Sequence, residues 1–268
     1  KKLENRTNFI DESCCIERYN TNQDSTVRIK YDDKLFKNYK KIGGSSKLRT
    51  ALLKDMSQYR DIVFPCQNVD NRGDTDALIA LHSINHILTT NRIIKKNNKL
   101  LSKNEFEICR DKGFTRPRIL IILPIKSMAF NLVNYMIFIH AGNQIMNKKR
   151  FYTEFQPTEE HINLMATRTN FPKDHRLMFE GNTDDYFRLG IGVEKNSLKL
   201  YENFYKSDII IASPLGLRTL IGSPEDPEYD FNFLSSIQIV FLSKSNVCMM
   251  QNWEHLINIF SHLNLLPT

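Results

Sequence analysis

The sequence predicts an α/β protein: a parallel sheet sandwiched by helices, preceded by an extended N-terminal arm. Three observations carry that expectation. The runs RILIIL, SDIIIAS and IQIVFL are apolar throughout, and strands without alternation are buried on both faces. Segments with apolar residues at helical spacing lie between them, the alternation that builds a parallel sheet. The first 46 residues are instead polar, Asn- and Lys-rich and without period, and they end in GGSS at Gly43 to Ser46. They read as an extended or partly disordered arm, and 47–268 as one lobe.

The elements follow in order. KLRTALLKDMSQYRDIVF (Lys47 to Phe64) places Leu48, Leu52, Met56 and Tyr59 at helical spacing and closes on the short run DIVF before Pro65. After the polar loop Cys66 to Asp76, DALIALHSINHILTTNRIIKK puts Leu78, Leu81, Ile84 and Leu88 on one helical stripe. Arg92, Lys95, Lys96 and Lys99 suit the negative end of that helix. RILIIL is a buried-type strand, followed by a helix from about Ser127 to His140. RFYTEF (Arg150 to Phe155) is a further strand candidate. GNTDDYFRLGI (Gly181 to Ile191) falls in a long connection between strands, and long connections are often functional. SDIIIAS is the next buried strand, with a helix starting near Pro214. IQIVFL is the last, followed by a helix from about Met250 to Leu263.

Composition bounds the function. A net charge of +7 favours anionic partners, nucleic acid first among them, although thirty acidic residues temper the bias. Cys14, Cys15, Cys66, Cys109 and Cys248 are odd in number and form no CxxC pair, so neither a disulfide framework nor a zinc site of usual spacing is expected. No apolar run reaches bilayer length and no signal peptide is visible, so no membrane partner is expected. The chain begins at Lys1, so a natural N-terminus is expected ahead of it.

A ligand of a parallel sheet meets the loops at the carboxyl ends of its strands, here LPIKS, ASPLG and LSKSN. No GxxxxGK[ST] phosphate loop occurs anywhere, and the loop from Cys66 to Asp76 holds one glycine and no lysine. Neither a metal nor a cofactor is expected. His82 and His86 share a helical face but lack a following Glu or a third ligand, so they read as packing or capping groups, as do His255 and His262. Asp184 and Asp185 follow a Gly-Asn turn, where an Asp caps the next segment, and Arg188 is placed to pair with Asp184. Ser213 is an expected N-cap with Pro214 at the first helical position and Arg218 in the first turns. Lys126 and Ser127 open the helix after Pro124 in the same way. Helix starts bind phosphate oxygens, so the two side by side form a candidate RNA-binding ledge: Arg116, Lys126, Ser127, Ser213, Gly216 and Arg218. The alternative is that both are ordinary strand-to-helix turns. Exposed aromatic and charged residues make Gly181, Asn182, Asp184, Asp185, Phe187 and Arg188 a possible docking loop.

RDKGFTRPRILIILP, GNTDDYFRLGI, SDIIIASPLGLR, FLSS (Phe233 to Ser236) and MQNWEH together resemble the digestive organ expansion factor family, from about Leu35 to Pro267. That family is similar to DEAD-box RNA helicases with decayed motifs. The resemblance implies a RecA-like first lobe, with a second lobe beyond this chain. It implies RNA-contacting loops at Lys126 and at Ser213, Gly216 and Arg218. FLSKSN falls at the acidic magnesium motif, where Ser243 and Asn246 stand in place of acids, and a hydroxyl and an amide cannot hold magnesium as carboxylates do. The implied role is a non-catalytic component of the nucleolar small-subunit processome, a nuclear ribonucleoprotein. It would act in pre-rRNA processing and ribosome biogenesis. Its implied partners are pre-ribosomal RNA, a guide snoRNA and processome proteins met through the arm and surface loops. Two alternatives stay open: an RNA-dependent ATPase that uses Asp184 or Asp185, and a pure protein-interaction scaffold.

Overall fold

The computed structural model describes residues 5–11, 14–19, 30–43, 47–101, 111–159, 162, 167, 172–227 and 229–267, with the backbone alone for 5–19. At its centre is a six-stranded sheet. Its strands are β3 (Ile119–Ile122), β4 (Gln144–Met146), β5 (Arg188–Val193), β6 (Ser197–Leu200), β7 (Ile209–Ala212) and β8 (Ile239–Leu242), in the order β4-β6-β5-β7-β3-β8. β7, β3 and β8 run parallel, Ile119 lying opposite both Ile209 and Ile239. β5 is antiparallel to both neighbours, so the sheet is mixed and not wholly parallel.

The apolar runs explain the centre. Every residue of Ile119–Ile122 and Ile209–Ala212 is fully buried, because helices cover both faces. Ile119, Ile121, Ile209 and Ile211 face one side, with α3 (Arg72–Leu101) and α4 (Lys126–His140). Leu120, Ile122, Ile210 and Ala212 face the other. They meet Leu217 and Ile221 of α7 (Pro214–Ile221) and Leu256 and Ile259 of α9 (Trp253–Ser261). β8 departs from the buried expectation: it is an edge strand, and Val240 is 37% exposed.

Three segments differ from the sequence expectation, each for a local reason. RFYTEF lies in a helix, α5 (Lys148–Phe155), since Phe151 and Phe155 are four apart and both buried. GNTDDYFRLGI is not all connection: its second half is β5, where the backbone of Glu202 approaches Gly190 too closely for a side chain. The terminal helix expected from about Met250 to Leu263 is found as α9, and a further short helix, α8 (Ser245–Met250), precedes it, the Asn252 side chain between them accepting from the Glu254 N–H. The arm contains structure. Strands β1 (Asn5–Asp11) and β2 (Cys14–Tyr19) form an antiparallel hairpin. Asp32 caps α1 (Asp33–Lys40), which buries Leu35 and Tyr39 one turn apart against the lobe. Ahead of Tyr59 the helical spacing is realised as α2 (Lys47–Met56). A short helix, α6 (Lys173–Phe179), precedes β5.

The histidine pair of α3 packs as expected. His82 meets the Tyr31 hydroxyl at 3.1 Å, and His86 lies between the Tyr59 hydroxyl (2.5 Å) and the Gln238 side chain (2.8 Å). Both imidazoles are pushed below their ordinary pKa by burial, His82 to about 4. His262 likewise meets the Tyr229 hydroxyl at 2.6 Å.

Candidate functional site

The chain leaves β3 through α4 on one face of the sheet. It then leaves β7 through α7 on the other and crosses to β8 on the far side of β3. Because such crossovers are right-handed, reversing direction changes face. The crevice between the carboxyl ends of β3 and β7 is therefore the place where a sheet of this kind binds ligands.

Here the chain fills that crevice itself. The N–H groups of Lys126 and Ser127, at the start of α4, donate to the carbonyl oxygens of Asp184 (2.9 Å) and Asn182 (2.8 Å). The Lys126 ammonium lies 2.7 Å from the Asp184 carboxylate. Burial raises the Asp184 pKa, but the hydrogen bonds from Lys126 and from the Tyr186 N–H, with the Lys126 charge, outweigh it and hold the carboxyl below its usual value. Asp184 thus caps the turn as expected, through the Tyr186 N–H at 2.9 Å, while its ion pair forms with Lys126 and not with Arg188. On the β7 side, Phe187 accepts the Ser213 N–H at 3.1 Å, and Gly216 packs directly beneath the Phe187 carbonyl. Gly181 packs as tightly on Ser127. The segment from Gly181 to Phe187 is a plug, and its oxygens occupy the donors that a bound anion would use.

The six ledge residues divide accordingly. Lys126, Ser127, Ser213 and Gly216 converge around the plug. The Ser213 hydroxyl is buried and accepts from the Gly216 N–H at 3.0 Å, as an N-cap does, and Ser127 is buried beside Gly181. Arg218 belongs to the same helix but turns to its far end, donating to the Gly222 carbonyl. Arg116 precedes β3, at the opposite, amino-terminal end of the central strands, and does not join the ledge. It makes two bonds, at 2.9 and 3.0 Å, to the buried Asp208. Of the docking-loop residues, Phe187 is buried, whereas Asp184 and Arg188 stay exposed beside Tyr186.

After β8, Ser243 is buried and Asn246 is exposed, with Lys244 between them in a left-handed conformation at φ 58°. Lys244 faces a charge cluster that sequence reasoning missed. Arg72 lies 3.9 Å from Asp76 at the start of α3, and Arg49 pairs with Asp74 at 2.6 Å. Burial pushes Asp76 up to about 6 against the pull of Arg72 and Lys244, and burial also lowers Lys244. The one local signal was three charges within Arg72 to Asp76; their meeting with Lys244 depends on the fold. Among the described residues no group of three or more His, Cys, Asp or Glu is placed to hold a metal ion. No helix among them is long and apolar enough to cross a membrane.

A family model described as UTP25, NTP hydrolase-like domain, matches residues 59–268. The chain belongs to this family. The UTP25 match takes in all six strands of the large sheet and the plug. Among curated relatives, U3 small nucleolar RNA-associated protein 25 of Schizosaccharomyces pombe is 40% identical over 232 residues, 87% of this chain and 35% of its own length. The homolog of that protein in Homo sapiens is 38% identical over 233 residues, 82% of this chain and 30% of its own length. The chain therefore spans about a third of the UTP25 relatives it matches. No solved structure matches it.

Proposed function

We propose that this chain is a RecA-like lobe without motor chemistry, serving the small-subunit processome as an RNA- and protein-binding assembly module. The names of the relatives support a place beside the U3 small nucleolar RNA, hence in the nucleolus and in pre-rRNA processing. The observation that carries the non-catalytic reading is the plugged crevice: Asn182 and Asp184 take the helix-start donors that a nucleic acid or a nucleotide would need. The phosphate loop missing from the sequence and the Ser243 and Asn246 replacements agree with it. Lys126, Ser127, Ser213 and Gly216 then position the docking segment, and its exposed Tyr186 and Arg188 meet the RNA. Contacts of this kind fix position without reading sequence. Residues ahead of α1 attach the lobe to neighbouring proteins.

Two measurements test this. Calorimetry with millimolar magnesium-ATP is expected to show no binding; RNA-stimulated turnover lost on Asp184→Ala would establish an ATPase instead. Crosslinking in cells is expected to recover pre-rRNA and U3. Protein partners without any RNA contact would leave only a protein scaffold.

A further inference from the structure

Beside the plug, between the start of α7 and the break that separates α8 from α9, lies a cavity of about 250 Å³ lined by Asp185, Pro214, Leu215, Gln251, Asn252 and His255. We infer that this cavity takes one unstacked nucleobase of a single-stranded RNA, and that Asp185 makes guanine the preferred base. The inference rests on the RNA-contacting role proposed above and adds base preference to it.

Size comes first. Pockets that enclose a whole small molecule measure roughly 300–1,000 Å³. This cavity holds less, which suits a planar heterocycle whose sugar and phosphate remain outside. Its lining divides as base sites do. Pro214 and Leu215 supply apolar surface and His255 a ring for stacking, and Asp185, Gln251 and Asn252 supply polar groups. Those polar groups select the base. Asp184 is engaged by Lys126 and by the Tyr186 N–H, but Asp185 has no hydrogen bond or ion pair among the described residues. A carboxylate is acceptor-only and receives two parallel N–H donors. The Watson–Crick edge of guanine presents such a pair, N1–H beside the exocyclic amine, with O6 alongside. Asn252 uses its oxygen to cap α9 and keeps its amide N–H groups for O6. Uracil and adenine lack the paired donors.

An arginine side chain of a protein partner also carries parallel N–H donors. The surroundings favour RNA: the chain bears a net charge of +7, and Arg188 lies exposed on the segment that carries Asp185. That field draws phosphates and repels a basic peptide.

The test is fluorescence anisotropy of the 268-residue chain with ten-nucleotide oligouridines that carry one central guanosine, inosine, adenosine or cytidine. Guanosine is expected to bind about tenfold more tightly than inosine, which lacks only the exocyclic amine, the scale of a good bidentate contact. Asp185→Asn is expected to erase that difference. Equal affinity for guanosine and inosine on the wild-type chain overturns the inference without recourse to any variant and leaves the RNA role standing. Failure of every oligonucleotide to bind overturns both. Loss of the guanosine preference on adding an arginine-rich peptide that binds wild type but not Asp185→Asn would assign the cavity to protein and overturn the base site.

Discussion

A methyl group on Gly216 would overlap the carbonyl oxygen of Phe187, whereas one on Gly192 would meet only side-chain atoms at ordinary distances of 3.7 Å and beyond. Gly216→Ala must therefore push the plug outward or shift the start of α7. It is expected to destabilise the chain by about 1–3 kcal/mol, the usual cost of overpacking; urea unfolding would measure it, with Gly192→Ala near wild type as the control. Asp76 and His82 give a second residue-level prediction, in pH. Burial raises the Asp76 carboxyl from 3.8 to about 6, so its share of stability is complete below pH 3.8 and is lost as pH rises through 6. Burial lowers His82 from 6.5 to about 4, so its share is complete above pH 6.5 and is lost as pH falls through 4. The two slopes oppose each other in between. Asp76→Asn removes one of them, so the variant should be more stable at pH 7 by roughly 1–3 kcal/mol. It should also lose stability more steeply than wild type on acidification to pH 4.5. Parallel stability curves would refute the burial argument.

Among elements, the start of β3 is held by charge. Asp208 is buried at the head of β7, receiving both Arg116 bonds and the Val193 N–H at 2.7 Å, so three strands meet on one carboxylate. Arg116→Ala leaves that charge uncompensated and is expected to cost about 2–3 kcal/mol, below the full figure for a buried pair because the arginine is half exposed. Thermal unfolding reads the loss; affinity for RNA per folded molecule should not change, which separates a structural arginine from a phosphate contact. What the sequence disclosed here follows period. Strands buried on both faces and the long α3 were legible, because an apolar run or a stripe such as Leu78, Leu81 and Ile84 has one stable placement. β5 was hidden because Gly190 and Gly192 interrupt its apolar alternation, and α5 because Phe151 and Phe155 are its only buried positions. Of the site, Lys126, Ser213 and Gly216 were legible as strand-to-helix turns. Their ligand was not, since the oxygens that satisfy the α4 start come from Asn182 and Asp184, more than fifty residues along the chain.

At the scale of the molecule, the proposed RNA contact is framed by the basic balance and the plugged crevice. If exposed cations such as Arg188 carry the contact, log affinity falls linearly with log salt. Arg188→Ala is expected to reduce that slope by about one phosphate's worth. A titration between low and moderate ionic strength measures it, and an unchanged slope would remove Arg188 from the interface. The same plug has a consequence for competition. Asp184 is tethered beside the α4 start, so any free phosphate must displace a rival whose local concentration is on the order of millimolar, as for short flexible tethers. Monovalent anions and mononucleotides present well below that concentration lose that contest. A polymer anchored elsewhere along the lobe competes on equal footing, so the crevice discriminates by valency before any chemistry of the ligand is read.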